Sequence, residues 1–252
     1  MKYTLAFIAL LGTVSFTNAQ GVTGVKPDPE PRVITPGKLN SDAPSDAVIL
    51  FDGSNLNQWT ASADPKLPAK WKVGNGILTV DKKEGSIQTK RSFGNYQLHI
   101  EWYIPQNITG KDQARGNSGI FLAMANNGWY GYELQILDSY NNKTYTAGQA
   151  GSIYLQYAPL VNAARKPGEW QTYDIAWTAP TFDERDSLKT PASVTVFYNG
   201  VLVQNNAVLK GSTLTFFKKP TYQKHGKAPI LLQAHGDPSE PVSYRNIWLR
   251  EL

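Results

Sequence analysis

The 252-residue sequence has no cysteine, only three histidines, and no second apolar run long enough to cross a bilayer once its first twenty residues are passed. Each absence removes a class of function. Without cysteine there is no disulfide framework, no thiolate metal site and no thiol nucleophile. About 230 residues bury enough surface to fold without cross-links. With so few histidines a zinc site of familiar spacing is missing, although a harder cation held by carboxylates and histidine stays open. A divalent cation is therefore an optional cofactor, and none is certain. No serine stands in a nucleophile-elbow context, so Ser/His/Asp hydrolysis has no support. The formal charge of +5 is modest and its basic residues are scattered. Nucleic acid, which demands a concentrated basic patch, is not an expected partner.

The start, "MKYTLAFIALLGTVSFTNAQ", combines an early lysine, an apolar run from Leu5 and a small-residue site ending at Ala19. That order is the layout of a secretory signal peptide over residues 1–19, and the run is short for a membrane span. Export to the periplasm or the medium is expected, with no cysteine after the leader to take a lipid anchor. Residues 20–45 carry five prolines and few large apolar side chains, which reads as an extended arm.

From 46 to 252 the pattern is nearly all strand. "GNGILTV" (74–80), "YQLHIEWYI" (96–104), "SGIFLAM" (118–124), "YELQIL" (132–137), "WQTYDIAW" (170–177), "ASVTVFY" (192–198), "VLVQ" (201–204), "PILLQAH" (229–235) and "YRNIWLREL" (244–252) are short, β-branched and aromatic, and separated by turn residues. Asn199-Gly200 marks a type I′ hairpin, since both residues tolerate positive φ. No amphipathic helix and no repeat appears. A single-domain all-β jelly-roll sandwich is the expected fold.

Alternation assigns the polar residues to faces. In "YQLHIEWYI" the face opposite the core carries Gln97, His99, Glu101 and Tyr103. In "YELQILD" Glu133 and Gln135 oppose Tyr132, Leu134 and Ile136, about 7 Å apart by strand rise. That spacing suits two neighbouring sugar hydroxyls, and equally a solvated face. Asp138 falls on the core side unless a bulge or the strand end re-aims it. Arg115 and Asn117 sit in a glycine-flanked turn, where a backbone can approach a ligand. Gln233 and His235 share a face at a strand end beside Gly236.

The blocks "ILFDGSNLNQW" (49–59), "RGNSGIFL" (115–122), "YELQILDSY" (132–140), "AGSIYLQYAPLVNAARKPGEWQTYDI" (150–175), "VTVFYNGVLVQN" (194–205) and "APILLQAHGDP…YRNIWLREL" (228–252) resemble, in order, those of the 3-keto-disaccharide hydrolase family. The resemblance covers the chain from Val48 onward. It implies a concanavalin A-like lectin/glucanase sandwich and a carbohydrate substrate already oxidised at C3. The ketone acidifies the C2 hydrogen, so a base can remove it, the C1 group is expelled, and water adds to the enone. Such a route needs a base, a partner for the enolate oxygen and an acid for the leaving oxygen. On this reading Glu133 is the base or a cation ligand, Arg115 the enolate partner and His235 the proton donor. Gln135, Asn117 and Glu101 orient hydroxyls, with Asp138 added if it turns inward. One departure stands out: Tyr103 follows "EW" where the family often has a basic residue.

Two rivals use the same fold. A conventional glycosidase carries E-x-D-x-x-E on one strand, and here the spacing reads Glu133-x-Gln135-x-x-Asp138. Those two acids lie roughly 16 Å apart on a straight strand, beyond the carboxylate separations glycosidases use. A lectin-like module presenting Trp129 and Tyr130 to sugar rings needs no histidine or arginine beside a glutamate.

Overall fold

The computed structural model describes residues 30–125, 130–213 and 219–252. The leader and Trp129 lie outside them. Ile34–Leu252 is one compact unit. Its strands in chain order are β1 (Val48–Phe51), β2 (Trp59–Ala61), β3 (Lys72–Gly74), β4 (Ile77–Thr79), β5 (Ile87–Thr89), β6 (Tyr96–Tyr103), β7 (Ser118–Ala125), β8 (Tyr130–Ile136), β9 (Trp170–Thr178), β10 (Thr181–Phe182), β11 (Leu188–Thr190), β12 (Ser193–Tyr198), β13 (Val201–Val208), β14 (Leu231–Leu232) and β15 (Ser243–Glu251).

The strands follow the alternation. Tyr96, Leu98, Ile100 and Trp102 of β6 are almost wholly buried, as are Tyr173, Ile175 and Trp177 of β9. Pairing is antiparallel throughout. The larger sheet runs β13-β12-β9-β6-β15-β4-β3, with β1 also on β15, and the smaller runs β2-β5-β14-β7-β8. The two inner faces enclose one apolar core, so the fold is the expected all-β sandwich.

Two departures from the sequence reading are local. "GNGILTV" is a hairpin rather than a strand: Asn75 and Gly76 have φ of 52° and 76°, and β3 turns into β4 there. Asn199 and Gly200, at 51° and 79°, make the anticipated type I′ turn between β12 and β13. "PILLQAH" contributes only the two residues of β14 to the smaller sheet.

Three tyrosines cross the core and fasten the sheets together. Tyr96 Oη donates to Leu122 O (2.6 Å), Tyr173 Oη to Gln135 O (2.8 Å), and Tyr244 Oη lies 2.7 Å from Ser118 Oγ. Each satisfies a phenol that burial would otherwise strand, and each pins β7 or β8 from beneath. Part of the proline-rich arm is also anchored. Ser41 O accepts from Trp248 Nε1 and Asn246 Nδ2, both at 2.9 Å.

Candidate active site

Register gathers the polar residues of three strands on the outer face of the smaller sheet. Glu133 pairs with Phe121, Gln135 with Gly119, and Leu231 with both Phe121 and Gln88. Paired residues point the same way. Gln233 N donates to Gly119 O at 2.9 Å, which continues the pairing past β14. Glu133, Gln135, Gly119, Gln233 and Gln88 therefore share one surface, with Asn117 just beyond the start of β7.

Glu133 is 5% exposed, and its carboxyl receives no hydrogen bond among the described residues. Burial pushes its pKa up to about 8. It lies against Gly119, where a Cβ would come 2.7 Å from Oε1. A group poised near neutral pH in a recess is suited to taking or giving a proton.

Amides hold the floor beside it. Gln113 Nε2 donates to Gly148 O (2.9 Å) and Thr144 Oγ1 (2.8 Å), while Asn117 Nδ2 donates to Gln113 O (2.8 Å). Gln135 Nε2 in turn donates to Asn117 Oδ1 at 3.2 Å. The chain of donors ends on backbone carbonyls, which fixes the amide orientations. Gln135 Oε1 and Gln233 Oε1 are left as buried acceptors with no partner among the described residues.

Arg115 and Asp138 meet each other rather than the recess. Strand β8 ends at Ile136, so Asp138 is re-aimed, and its Oδ2 takes Arg115 Nε at 2.5 Å. Its Oδ1 accepts from Tyr140 N at 3.0 Å, and Asp138 is 2% exposed. Arg115 Nη1 donates to Ile108 O at 3.1 Å. Both residues stake the turn that presents Asn117, and the hydroxyl-orienting duty expected of Asp138 is taken from it by this bond.

His235 is half-buried at the end of the same sheet. Its Nδ1 lies 3.0 Å from Asp237 Oδ2 and 3.3 Å from Asp237 N, contacts that orient the ring through Nδ1 and leave Nε2 for a ligand. Burial raises Asp237, yet hydrogen bonds from His235 and Ser239 and the Lys82 ammonium bring it down to about 2. Ser239 Oγ accepts from Gly116 N at 2.9 Å, tying this dyad to the Arg115 turn.

Glu101 is elsewhere. It pairs with Arg245 on the outer face of the larger sheet, on the far side of the core from Glu133. There its carboxylate accepts from Arg245 Nε (2.7 Å) and Asn246 Nδ2 (2.9 Å). Tyr103 is on that face too, its ring 5.2 Å from Trp170. The departure from the family at Tyr103 thus falls away from the recess.

Residues that the sequence reading passed over also line the recess. Tyr154 and Tyr145 lie beside Glu133, and Gln113 sits at the end of the amide floor. Tyr154 follows Ile153 in "GSIYLQY", and that brief alternation was the one signal pointing to it. A separate cavity of about 670 Å³, lined by Gln88, Lys90, Met124 and Lys227 among others, opens nearer the opposite end of this sheet and does not include Glu133.

A hard divalent cation takes six or more oxygens, usually several carboxylates. Glu133 with the amide oxygens of Gln135 and Gln233 offers a single charge, and among the described residues no three His, Asp or Glu side chains gather for a metal. The donor set is a poor fit. Among the same residues no helix is long and apolar enough to cross a membrane.

Two antiparallel sheets with a carboxylate recessed in one polar face define a β-sandwich of the lectin and glucanase type. The chain belongs to the family described as the 3-keto-alpha-glucoside-1,2-lyase-like domain, which matches residues 46–250. A curated 3-keto-disaccharide hydrolase from Bacteroides thetaiotaomicron is 25% identical over 156 residues, 51% of this chain and 51% of that protein. The chain thus spans about half the length of the curated relative it matches. A crystal structure from Parabacteroides distasonis, of a protein classed with the glycosyl hydrolases, is 53% identical with a TM-score of 0.83, covering 91% of this chain and 95% of that one. Another from the same organism, at 23% identity and a TM-score of 0.58 over 82% of this chain and 99% of that one, shares the fold.

Proposed function

We propose that this protein is an exported carbohydrate hydrolase cleaving the glycosidic bond of 3-keto-disaccharides or 3-keto-glycosides by elimination and hydration. The observation that carries the reading is Glu133, a recessed carboxyl with no ion-pair partner among the described residues, whose pKa is pushed up to about 8 by burial. A base of that strength suits the hydrogen beside a ketone, which is far more acidic than other ring hydrogens. Family membership supports the substrate class.

In the proposed sequence the Glu133 carboxylate takes the C2 proton and the C–H pair becomes an enolate double bond. Collapse of the enolate breaks the C1–O bond. The leaving oxygen takes a proton from His235 Nε2, directly or through water. Water then adds its hydroxyl at C1 and gives its other proton back to His235, and C2 regains a proton from Glu133. The sum is hydrolysis, with nothing oxidised or reduced. Asn117 and the amides of Gln135 and Gln233 border the recess and would meet the ring hydroxyls.

The carboxylate-pair glycosidase loses its second acid, because both oxygens of Asp138 are engaged by Arg115 and Tyr140. Export remains part of the proposal, resting on the leader-like residues 1–19.

The test is turnover of a 3-keto glycoside and of its unoxidised parent, with and without a chelator, by the wild type and Glu133→Gln. Release of the C1 group from the ketone alone, lost in the variant and indifferent to chelation, is the expected result. Equal cleavage of both sugars would defeat the elimination reading, and binding without cleavage would leave a lectin-like module.

A further inference from the structure

Removing a proton beside a ketone loads negative charge onto the ketone oxygen, so the proposed reaction needs a donor aimed there. Arg115 is the sequence's candidate, but its Nε and Nη1 are held by Asp138 and the Ile108 carbonyl. Another donor stands nearer the base. Leu134 bridges Ile153, and Tyr154 N donates to Glu133 O at 3.1 Å, so Tyr154 is directly opposite Glu133. Ile153 joins Leu134 in the core, which sends the Tyr154 ring to the Glu133 side. Opposed residues keep their Cβ atoms within about 5 Å.

The Tyr154 and Tyr145 hydroxyls lie 2.6 Å apart, and the Tyr145 ring rests on Gly148, where any side chain would collide with it. Gly148 also carries the carbonyl that anchors Gln113, so the pair and the amide floor share one support. Two phenols joined by one hydrogen bond hold two protons, one inside the bond and one left to donate outward. Burial, the bond to Tyr154 and the nearby charge of Glu133 all raise the Tyr145 pKa. Either hydroxyl can be the donor of this bond, and in the arrangement with Tyr145 donating the outward proton belongs to Tyr154. Tyr154 keeps its own O–H, and its hydroxyl has no other hydrogen bond among the described residues. Both rings are half-buried, so this O–H stands at the rim of the recess.

We infer that Tyr154, positioned by Tyr145, donates its phenolic hydrogen to the ketone oxygen of the substrate as that oxygen becomes an enolate. The inference rests on the elimination reading and adds the group that makes the enolate accessible. As Glu133 takes the C2 proton, the carbonyl electron pair moves onto the oxygen held by Tyr154. When the pair returns, the C1–O bond breaks and the tyrosine retains its proton. Tyr154 is a catalytic residue in this scheme and Tyr145 a positioning residue.

Tyr154→Phe and Tyr145→Phe test it through kcat and KM on a 3-keto glycoside. A parallel readout is exchange of the C2 hydrogen for deuterium in a 3-keto sugar lacking a C1 leaving group. Tyr154→Phe should lower kcat about a hundred- to a thousandfold, leave KM nearly unchanged and slow exchange in step, with the melting temperature preserved. Tyr145→Phe should lower both rates less, roughly tenfold. Wild-type exchange and turnover in Tyr154→Phe would overturn the inference while elimination stands. Slow turnover with normal exchange would also overturn it, because the tyrosine would then serve the leaving group. A wild-type protein that neither exchanges nor cleaves the ketone would remove the elimination reading and this inference together.

Discussion

The carboxyl of Glu133 lies across Gly119, so closely that a Cβ on the glycine would stand 2.7 Å from Oε1 and 3.3 Å from the carboxyl carbon. The contact explains why a strand in the middle of a packed sheet carries a residue with poor strand propensity. Gly119→Ala should leave the fold intact, since the obstructing atoms end a side chain that can swing. The base would be displaced instead. We expect a loss of kcat of tenfold or more with a melting temperature close to wild type. A variant with full activity would show that this placement does not matter.

Glu133 should also make stability fall as pH rises. Its folded pKa of about 8 stands above the ordinary value of 4.5. The folded state therefore holds an extra proton between these values, and the burial penalty develops across that window. The difference corresponds to about 4–5 kcal/mol at most by linkage. Glu133→Gln should match the wild type in stability near pH 4.5 and exceed it near pH 8.5, by denaturant titration. Activity should move the opposite way in wild type, with kcat/KM half-maximal near pH 8 and reaching its plateau above about pH 9 as the carboxylate forms. A rate profile already flat above pH 5 would contradict the assignment of the base.

The Arg115–Asp138 pair offers a prediction on structure rather than chemistry. The Asp138 side chain is 2% exposed and that of Arg115 26%. Breaking such a pair from one side leaves a buried charge and costs about 3–5 kcal/mol. Arg115→Leu should therefore destabilise strongly, whereas Arg115→Leu with Asp138→Leu should recover part of the loss. Equal loss in the single and double variants, measured as urea midpoints, would mean that the pair is not coupled.

Short-range signals were readable in the sequence and long-range ones were not. The alternation of Tyr96, Leu98, Ile100 and Trp102 gave a core face, and Asn199-Gly200 gave its turn, because both depend on neighbours a few residues away. Yet Asn75-Gly76 carries the same dipeptide and was read through as strand, the apolar run after it being the stronger pattern. Glu101 and Glu133 looked alike as acids on the polar faces of strands. Only pairing, β6 with β9 and β15 against β8 with β7, puts them on opposite outer faces. Asp138 depended on where β8 stops, and Tyr154 on a bridge across nearly twenty residues, neither of which alternation encodes.

His99 provides the opposite pH signature on the larger sheet. Its ring stacks on Trp248 with centroids 5.3 Å apart, and its Nδ1 is 2.7 Å from Asp174 Oδ1. Burial lowers its pKa, but Asp174 and Glu101 outweigh burial and carry it to about 9; Glu101, 3.7 Å from Nε2, acts through its charge. The folded value is above the ordinary value of 6.5, so this contribution is complete below pH 6.5 and disappears as pH rises through 9. Glu101 runs in reverse. Burial raises it, the nearby His99 imidazolium and hydrogen bonds from Asn246 and Arg245 bring it to about 2, and its contribution is lost as pH falls from 4.5 toward 2. His99→Gln should thus lower stability most near pH 5–6 and least above pH 9. Glu133→Gln raises stability and does so most in alkali, so stability curves of the two variants separate the overlapping alkaline declines. A His99→Gln curve parallel to wild type from pH 5 to 10 would show that the imidazole is not charged in the fold. In neither result should cleavage of a 3-keto glycoside at pH 7 change by more than about twofold, because the core separates His99 from the recess.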